Sequence, residues 1–243
     1  MRKKGYSFLL GLLSFILLWW VLSILTANRS LPNPFRTFQR MWELRDVIFL
    51  HTGASILRVL VSLFLAMIVG VPLGILLGRS QKINRLLGPL LYFLYPLPKV
   101  AFLPIFMLFF GLGNLSKILL IFAVISIQVI VSIRDSVKEI SEEYFQVMRN
   151  YTTKTSDVLL FLIGPAILPS LLASLRVSVG IALASLFFAE NYNTTYGLGY
   201  LVLSAWSKMD YEQMLAGITM IALVGFLFFS VLDGLEERIC RYR

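Results

Sequence analysis

Residues able to perform chemistry are scarce in this 243-residue chain. It holds one histidine, His51, and one cysteine, Cys240, so neither a histidine-based metal site nor an internal disulfide can form. The run nearest to a phosphate-binding loop, residues 111–117, has the wrong spacing, and no metalloprotease or serine-hydrolase motif occurs. We therefore expect a protein that is not an enzyme and that has no cofactor, metal or catalytic residue of its own.

Charged residues inside long apolar runs are the second place where function can lie. Lys99 and Arg176 fall near one end of their runs, and Glu190 near the opposite end of the run that contains Arg176. Snorkelling of these side chains to the membrane interface is the favoured explanation for them. No aspartate, glutamate or histidine relay occupies the middle of a run, which argues against a proton- or sodium-coupled carrier. The energy for any transport is then expected from another chain.

A polar stretch that opens at Arg134 contains a third candidate site. Within it, Tyr144, Val147 or Met148, and Tyr151 share one face at helical spacing. A short helix with an exposed aromatic and methionine face suits a groove on a partner protein. An amphipathic helix resting on the membrane, or on its own bundle, has the same pattern, so spacing leaves both readings open.

The elements that must position these residues are membrane helices. Apolar residues make up 58% of the chain and charged residues only 14%, whereas soluble domains have about 45–50% and about 25%. A compact soluble domain of this size needs a larger polar shell, and disorder needs lower hydrophobicity. The net charge of +9 fits basic cytoplasmic loops, because no basic patch interleaved with aromatics indicates a nucleic-acid site.

Apolar runs predict about six transmembrane helices, since about 20 residues cross the hydrocarbon core. Prolines in or before the third and fifth runs indicate irregular helices, with shorter interfacial helices preceding their cores. The first run is too long for a signal peptide and lacks a cleavage site, so we expect an uncleaved anchor. The predicted spans are residues 8–27, 59–78, 93–112, 118–133, 171–190 and 214–232.

Small residues predict where helices pack closely. Gly70, Gly74 and Gly78 form a small-xxx-small series, which we interpret as packing within the chain in preference to a subunit interface. The fifth run is also rich in small residues, which can pack tightly or line a polar path. Its candidate path residues are Ser174, Arg176, Ser178, Ser185 and Glu190.

The distribution of basic residues predicts that both termini are cytoplasmic. This orientation puts thirteen basic residues inside and six outside, and the opposite orientation inverts the bias. The external loop 28–54 is the exception, because it holds four arginines in a mixed amphipathic stretch. The inside residues are Arg2, Lys3, Lys4, Arg79, Lys82, Arg85, Arg134, Lys138, Arg149, Lys154, Arg238, Arg241 and Arg243; the outside residues are Arg29, Arg36, Arg40, Arg45, Lys117 and Lys208.

The loop of residues 134–170 resembles the cytoplasmic signature loop of type I ABC importer permeases. That signature reads Glu-Ala-Ala, three residues, Gly, nine residues, then Ile-x-Leu-Pro. Here it begins at Gln146-Val147-Met148 and ends at Leu162-Ile163-Gly164-Pro165. Thr152 stands where the family has glycine, and its Cβ disfavours a positive φ. Gln146, Met148 and Gly164 are further departures from the signature.

Other motifs resemble the nitrate, sulfonate, taurine and bicarbonate branch of the same family. Leu94–Pro98, Phe102–Pro104 and Phe110–Lys117 are similar to its third-span region. Ala189-Glu190 followed by Tyr196–Tyr200 is similar to its outer loop after the fifth span. The resemblance covers residues 55–240 in the family's order.

This resemblance implies an all-α, polytopic, MetI-like transmembrane fold. Residues 1–54 would form an anchor helix and external loop, and residues 55–243 the transmembrane domain. It implies a permease subunit in a bacterial inner membrane that moves a small anion such as sulfonate, taurine or nitrate. A permease for a vitamin precursor or aromatic compound, and a secondary carrier outside the ABC class, are the alternatives.

The resemblance also implies partners. Two copies of the permease would pair as a homodimer, two separate ATPase subunits would dock at the cytoplasmic loops, and an external binding protein would deliver the substrate. ATP binding would move the loop helices and switch the spans between inward- and outward-facing states. The residues expected to contact the ATPase are Tyr144, Phe145, Val147, Met148, Arg149, Tyr151 and Thr152.

Overall fold

The computed structural model describes residues 2–26 and 30–240, and every regular element in these ranges is helical. Arg29, Arg241 and Arg243, which entered the orientation count, lie outside the described residues, as do the side chains of Arg2, Lys3 and Lys4. The helices are α1 (Arg2–Thr26), α2 (Pro34–Glu43), α3 (Arg45–Arg79), α4 (Gln81–Leu94), α5 (Leu103–Phe110), α6 (Asn114–Lys138), α7 (Glu142–Tyr151), α8 (Thr155–Glu190), α9 (Leu198–Ser207) and α10 (Tyr211–Ile239).

Four of these helices are long and apolar enough to cross a membrane: α3, α6, α8 and α10. A fifth crossing is available if the bent pair Gln81–Leu94 and Lys99–Phe110 counts as one span. The stretch Leu13–Thr26 of α1 is apolar as well. These helices are consistent with the predicted count of about six.

The predicted core of the third span, residues 93–112, is not one helix. α4 ends at Leu94, a 3₁₀ turn covers Lys99–Phe102, and the two halves meet at 86°. Pro96 and Pro98 fall in the break, where each lacks the backbone N–H that a continuous helix would need. The expectation of an irregular helix here is confirmed, but the boundaries of the predicted core were wrong.

The fifth span is longer and more continuous than predicted, because α8 runs without a break from Thr155 to Glu190. The separate interfacial helix expected before residue 171 is therefore absent from this described stretch. Five residues, Leu159–Ile163, wind as a π-helix, and Gly164 and Pro165 follow them. A proline leaves one backbone carbonyl of the preceding turn without its hydrogen bond. Local π-helical winding lets such carbonyls find other N–H partners, so the helix continues past the proline.

The helices divide into two compact units, with the divisions falling inside α3 and α10. Unit 1 comprises residues 1–55 and 195–223. In it, the Gly197 N–H donates to His51 Nδ1 at 2.9 Å, and the Leu198 N–H donates to the Ser55 hydroxyl at 2.8 Å. Gly197 has φ of 146°, which side chains rarely adopt, so glycine permits this turn. His51 thus fixes the start of α9.

Unit 2 comprises residues 56–194 and 224–243, and its core lies between α3, α6 and α8. α3 packs closely on α6 through its glycines. A Cβ on Gly70, Gly74 or Gly78 would come within 2.9, 2.7 or 2.6 Å of side-chain atoms of Val129, Ile133 and Val137, respectively. The predicted role of these glycines in packing within the chain is confirmed.

Candidate coupling helix and buried charges

The helix predicted around residues 144–151 is present as α7 (Glu142–Tyr151), which lies between α6 and α8. Ser141 caps it by accepting a hydrogen bond from the Glu143 N–H at 3.4 Å. Glu142 occupies the first turn and Arg149 the last, so both charges complement the helix dipole, and the two side chains also pair. A helix of ten residues is marginal on its own, and these end contacts stabilise it here.

α7 presents an apolar face to its surroundings. Tyr144, Val147 and Tyr151 are 62%, 52% and 84% exposed. Met148 is partly buried beside them, and Arg149 is exposed. The described residues do not cover this face, which is the geometry that a docking helix requires.

Phe145 is different from the other predicted contact residues, because it is the one buried residue of α7. Its ring packs in a cluster with Val137 from α6 and with Ile163 and Ile167 from α8. The Arg79 guanidinium lies 3.9 Å from the ring centroid. Phe145 therefore attaches α7 to three spanning helices.

Thr152 closes α7 without the backbone conformation that would need a glycine. Its φ is −150°, which is extended backbone open to any residue. Its hydroxyl donates to the Asp157 carboxylate at 2.6 Å and accepts from the Lys154 N–H at 3.1 Å. The threonine thus joins the end of α7 to the start of α8 by side-chain hydrogen bonds.

Most of the residues predicted to line a path are buried. The side chains of Ser174, Ser178, Ser185 and Glu190 are all buried within the chain. Among the described residues, the Ser174 and Ser178 hydroxyls have no hydrogen-bond partner. Arg176 is paired with Asp233 and, at 2.8 Å, with Glu236. This conformation therefore favours packing for the serines and ion pairing for the arginine.

A buried charged cluster was missed from the sequence. The Arg58 guanidinium, 5% exposed, donates to the fully buried Glu190 carboxylate and, at 2.7 and 3.0 Å, to the Asn114 side-chain oxygen. Lys117 lies buried nearby and donates to the carbonyls of Leu112 and Gly113. These groups tie α3, α6 and the last residue of α8 together within unit 2. The available signal was the position of Arg58 and Glu190 at the edges of apolar runs, but nothing in the sequence pairs them.

Within residues 2–26 and 30–240, no three potential metal ligands among His, Cys, Asp and Glu side chains come together. The features that do stand out are long apolar helices, one of them π-wound and another broken. A short amphipathic helix with an exposed apolar face is held to them by one buried ring. Together they define a polytopic helical membrane protein with a short, partly exposed amphipathic helix.

Comparisons with known proteins identify its family. Residues 70–241 match the family model "Binding-protein-dependent transport system inner membrane component". The taurine transport system permease protein of Escherichia coli strain K12 is 31% identical over 95% of this chain and 87% of its own. A putative aliphatic sulfonates transport permease protein of Bacillus subtilis strain 168 is 32% identical over 99% and 90%.

The fold has a solved counterpart. A chain of the MetNI methionine ABC transporter, solved in inward-facing conformations, matches with a TM-score of 0.68 at 13% identity, covering 81% of this chain and 98% of that one. The chain described here belongs to the family of binding-protein-dependent transport system inner membrane components. It is therefore an ABC importer permease subunit, a multi-pass membrane protein and not an enzyme, whose family works with ATPase and substrate-binding partners.

Proposed function

We propose that this permease forms the path for a small organic or inorganic anion. Support comes from the two relatives reported above, whose names specify taurine and aliphatic sulfonates, both of which carry a sulfonate group. A vitamin precursor or aromatic compound remains the second candidate. Selectivity would lie mostly in the external binding protein that delivers the substrate.

Uptake measurements test the substrate class. The complete transporter, with its binding protein, is reconstituted in proteoliposomes containing ATP, and labelled taurine uptake is measured. Alkanesulfonates and nitrate are added as competitors, with a neutral pyrimidine as the control. Competition by the anions alone supports the proposal. Inhibition of taurine uptake by the pyrimidine, with no inhibition by the alkanesulfonates or nitrate, contradicts it.

The proposed assembly has two copies of this chain, two ATPase subunits and both termini in the cytoplasm. The basic-residue bias supports the orientation, with thirteen positions on the proposed inner side and six on the outer. Two of those six carry charges engaged within the chain: Lys117 is 1% exposed, and Arg40 pairs with Asp210 at 2.9 Å. The proposed domains are an anchor and external loop, residues 1–54, followed by the transmembrane domain, residues 55–243.

We propose that α7 is the element through which the ATPase drives transport. The observation that carries this proposal is the division of its side chains between an exposed apolar face and the buried Phe145 ring. A groove of the ATPase would bind the side chains of Tyr144, Val147, Met148 and Tyr151, and Arg149 and Thr152 would lie at the edge of this contact. Phe145 would transmit the movement to the bundle. Two bundle conformations that differ by a few kcal/mol suffice for such a switch.

Met148→Arg tests the docking face. The new charge would be forced into an apolar groove of the ATPase, so transport should fall at least tenfold while the permease stays folded. Asn150→Arg is the matched control, because it adds the same charge on an exposed position of the same helix. If Met148→Arg complexes transport at the parent rate, the docking face is assigned wrongly.

The proposed path residues stay on α8: Ser174, Arg176, Ser178, Ser185 and Glu190. Transport would have to uncover them, since this conformation buries the serines and pairs Arg176 with two carboxylates. Arg176→Gln separates the two roles of that residue. A drop in anion uptake at low salt, relieved at high salt, supports a contribution to the path potential. Unchanged uptake at low salt removes Arg176 from the path.

A further inference from the structure

α2 (Pro34–Glu43) has a row of exposed aromatic side chains, of which Phe38 also contacts the Trp19 ring of α1 at 6.4 Å between centroids. Phe35, Phe38 and Trp42 are 77%, 42% and 72% exposed. Their spacing of three and four residues places them along one face of the helix. Exposed aromatics grouped in this way mark an interaction surface.

α2 is a fixed element and not a loose connection. Asn33 caps it by accepting from the Arg36 N–H at 2.9 Å, and Pro34 begins its first turn. Thr37, on the side of α2 opposite the aromatic row, is fully buried against the chain. The Arg40 guanidinium donates to Asp210 at 2.9 Å within unit 1. Since α2 is held in place, its aromatic face points in a set direction.

The Arg40–Asp210 pair stays ionised at neutral pH. Burial acts to raise the pKa of Asp210, but hydrogen bonds from the Gln213 N–H and from Arg40 outweigh it, so this pKa lies below its ordinary value. The charge of Arg40 is thus neutralised inside the chain. Any charge that α2 offers outward must come from other residues.

Two arginines near the ends of this face are exposed, and one of them, Arg45, also lies 4.0 Å from the Asp46 carboxylate. Arg36 and Arg45 are both exposed. The Arg45 guanidinium sits 5.3 Å from the Trp42 ring centroid and donates to the Trp42 carbonyl at 3.3 Å. A guanidinium beside an indole combines a phosphate-binding fork with an amphipathic ring, which is typical of the headgroup level of a bilayer.

The neighbouring helices indicate what covers the face. α1 before α2, and the first turns of α3 after it, expose large apolar side chains: Leu25 by 75%, Phe49 by 68% and Leu50 by 57%. Along the chain, α2 is thus flanked on both sides by helices whose exposed apolar side chains favour a lipid environment. An acidic partner protein would match the arginines but not these flanking apolar side chains.

We propose that α2 lies in the headgroup region of the bilayer, with Phe35, Phe38 and Trp42 at the acyl boundary and Arg36 and Arg45 binding the phosphates of anionic lipids. This assignment explains Arg36 and Arg45, two of the four arginines of the external loop that oppose the positive-inside bias. The proposal does not depend on the identity of the substrate. The proposed orientation of the chain decides only that the headgroup region is that of the outer leaflet.

Accessibility of a nitroxide spin label tests the position of α2. In a Cys240→Ser background, Phe35→Cys and Glu43→Cys are labelled in nanodiscs, since residue 43 is on the polar side of the same helix. The Phe35 position should be relaxed by oxygen and shielded from a water-soluble nickel chelate, and the Glu43 position should show the reverse. Equal access of the chelate to both overturns the proposal. Protection of position 35 only when the binding protein is added assigns the face to that protein and also overturns it.

A second measurement tests the phosphate contacts. Thermal midpoints are compared in nanodiscs of phosphatidylcholine alone and with phosphatidylglycerol added. The parent should gain stability from phosphatidylglycerol, and the double variant Arg36→Gln, Arg45→Gln should lose at least half of that gain. Lys154→Gln, an exposed basic residue outside α2, should retain it. An undiminished gain in the double variant overturns the lipid assignment. Neither measurement depends on uptake, so the substrate proposal can fail without affecting this one.

Discussion

Removing the ring of Phe145 should disconnect α7 from the bundle while the bundle stays folded. The ring is 4% exposed and packs against residues of α6 and α8, beside Arg79. Truncating such a buried ring to alanine costs about 3–5 kcal/mol, and losing the cation–π contact adds about 0.5–1 kcal/mol. α7 has no other buried residue, so nearly all of this loss falls on the docking of α7. A ten-residue helix is marginal on its own, so it should detach and fray.

The assay compares ATP-driven uptake, ATPase rate and thermal midpoint for purified complexes in proteoliposomes. Phe145→Ala should reduce uptake at least tenfold, with ATP hydrolysis persisting and the midpoint of the bundle shifted by only a few degrees. Phe145→Leu should keep most uptake, since it refills much of the volume. Tyr151→Ala, at a position 84% exposed, should leave the midpoint unchanged and still reduce coupled uptake. Parent-level uptake in Phe145→Ala would refute the role of the ring.

Three further predictions address the rest of the molecule. Gly74→Ala places a Cβ 2.7 Å from Ile133 and should lower stability by about 1–3 kcal/mol in thermal unfolding, whereas Gly180→Ala, with nothing within 4 Å, should be neutral. Glu190→Gln removes the carboxylate facing buried Arg58 and should cost about 3–5 kcal/mol; an unchanged unfolding midpoint would show that the pair is not needed. Asp210→Asn should destabilise unit 1 by up to about 1 kcal/mol at pH 7. The gap between variant and parent should begin to narrow as the pH falls below about 4 and should vanish once the pH has passed below the lowered folded pKa, because both carboxyl states are then protonated. A gap that keeps its pH 7 size throughout the acid range would exclude this linkage.

The features that the sequence could predict are those set by local pattern. Apolar run length located the four long spanning helices, since crossing the hydrocarbon core requires it. Helical spacing identified α7 and the side that it exposes, and the series Gly70, Gly74, Gly78 indicated close packing. Each of these signals arises from neighbours within a few turns of one helix.

The features that escaped prediction depend on distant contacts or on subtle backbone changes. Arg58 and Glu190 are 132 residues apart, so only the packing of α3 against α8 brings them together. The π-helical stretch Leu159–Ile163 could not be predicted from the sequence. An apolar run has the same composition whether its turns are α-helical or contain the extra residue of a π-helix. The burial of Phe145, within an otherwise exposed helix, likewise reflects its place beside Arg79 and not the local pattern.

Thr152 shows how a departure from a family motif can be absorbed. A glycine at this position would allow a positive φ, yet the backbone here is extended, and the hydroxyl bonds to Asp157 and Lys154. The side chain supplies hydrogen bonds that glycine could not make. The link between α7 and α8 is thus held by chemistry that the motif comparison alone could not reveal.

The most direct test of the account is site-specific photo-crosslinking from α7 in native membranes. A photoreactive amino acid replaces Tyr151, which is 84% exposed, and Tyr92 on α4, which is 85% exposed, is the matched control position. The account predicts a crosslink from position 151 to an ATP-binding subunit, with a yield that changes when ATP is added, and none from position 92. If position 151 captures only lipid or nothing in an actively transporting membrane, α7 is not where the ATPase drives this permease.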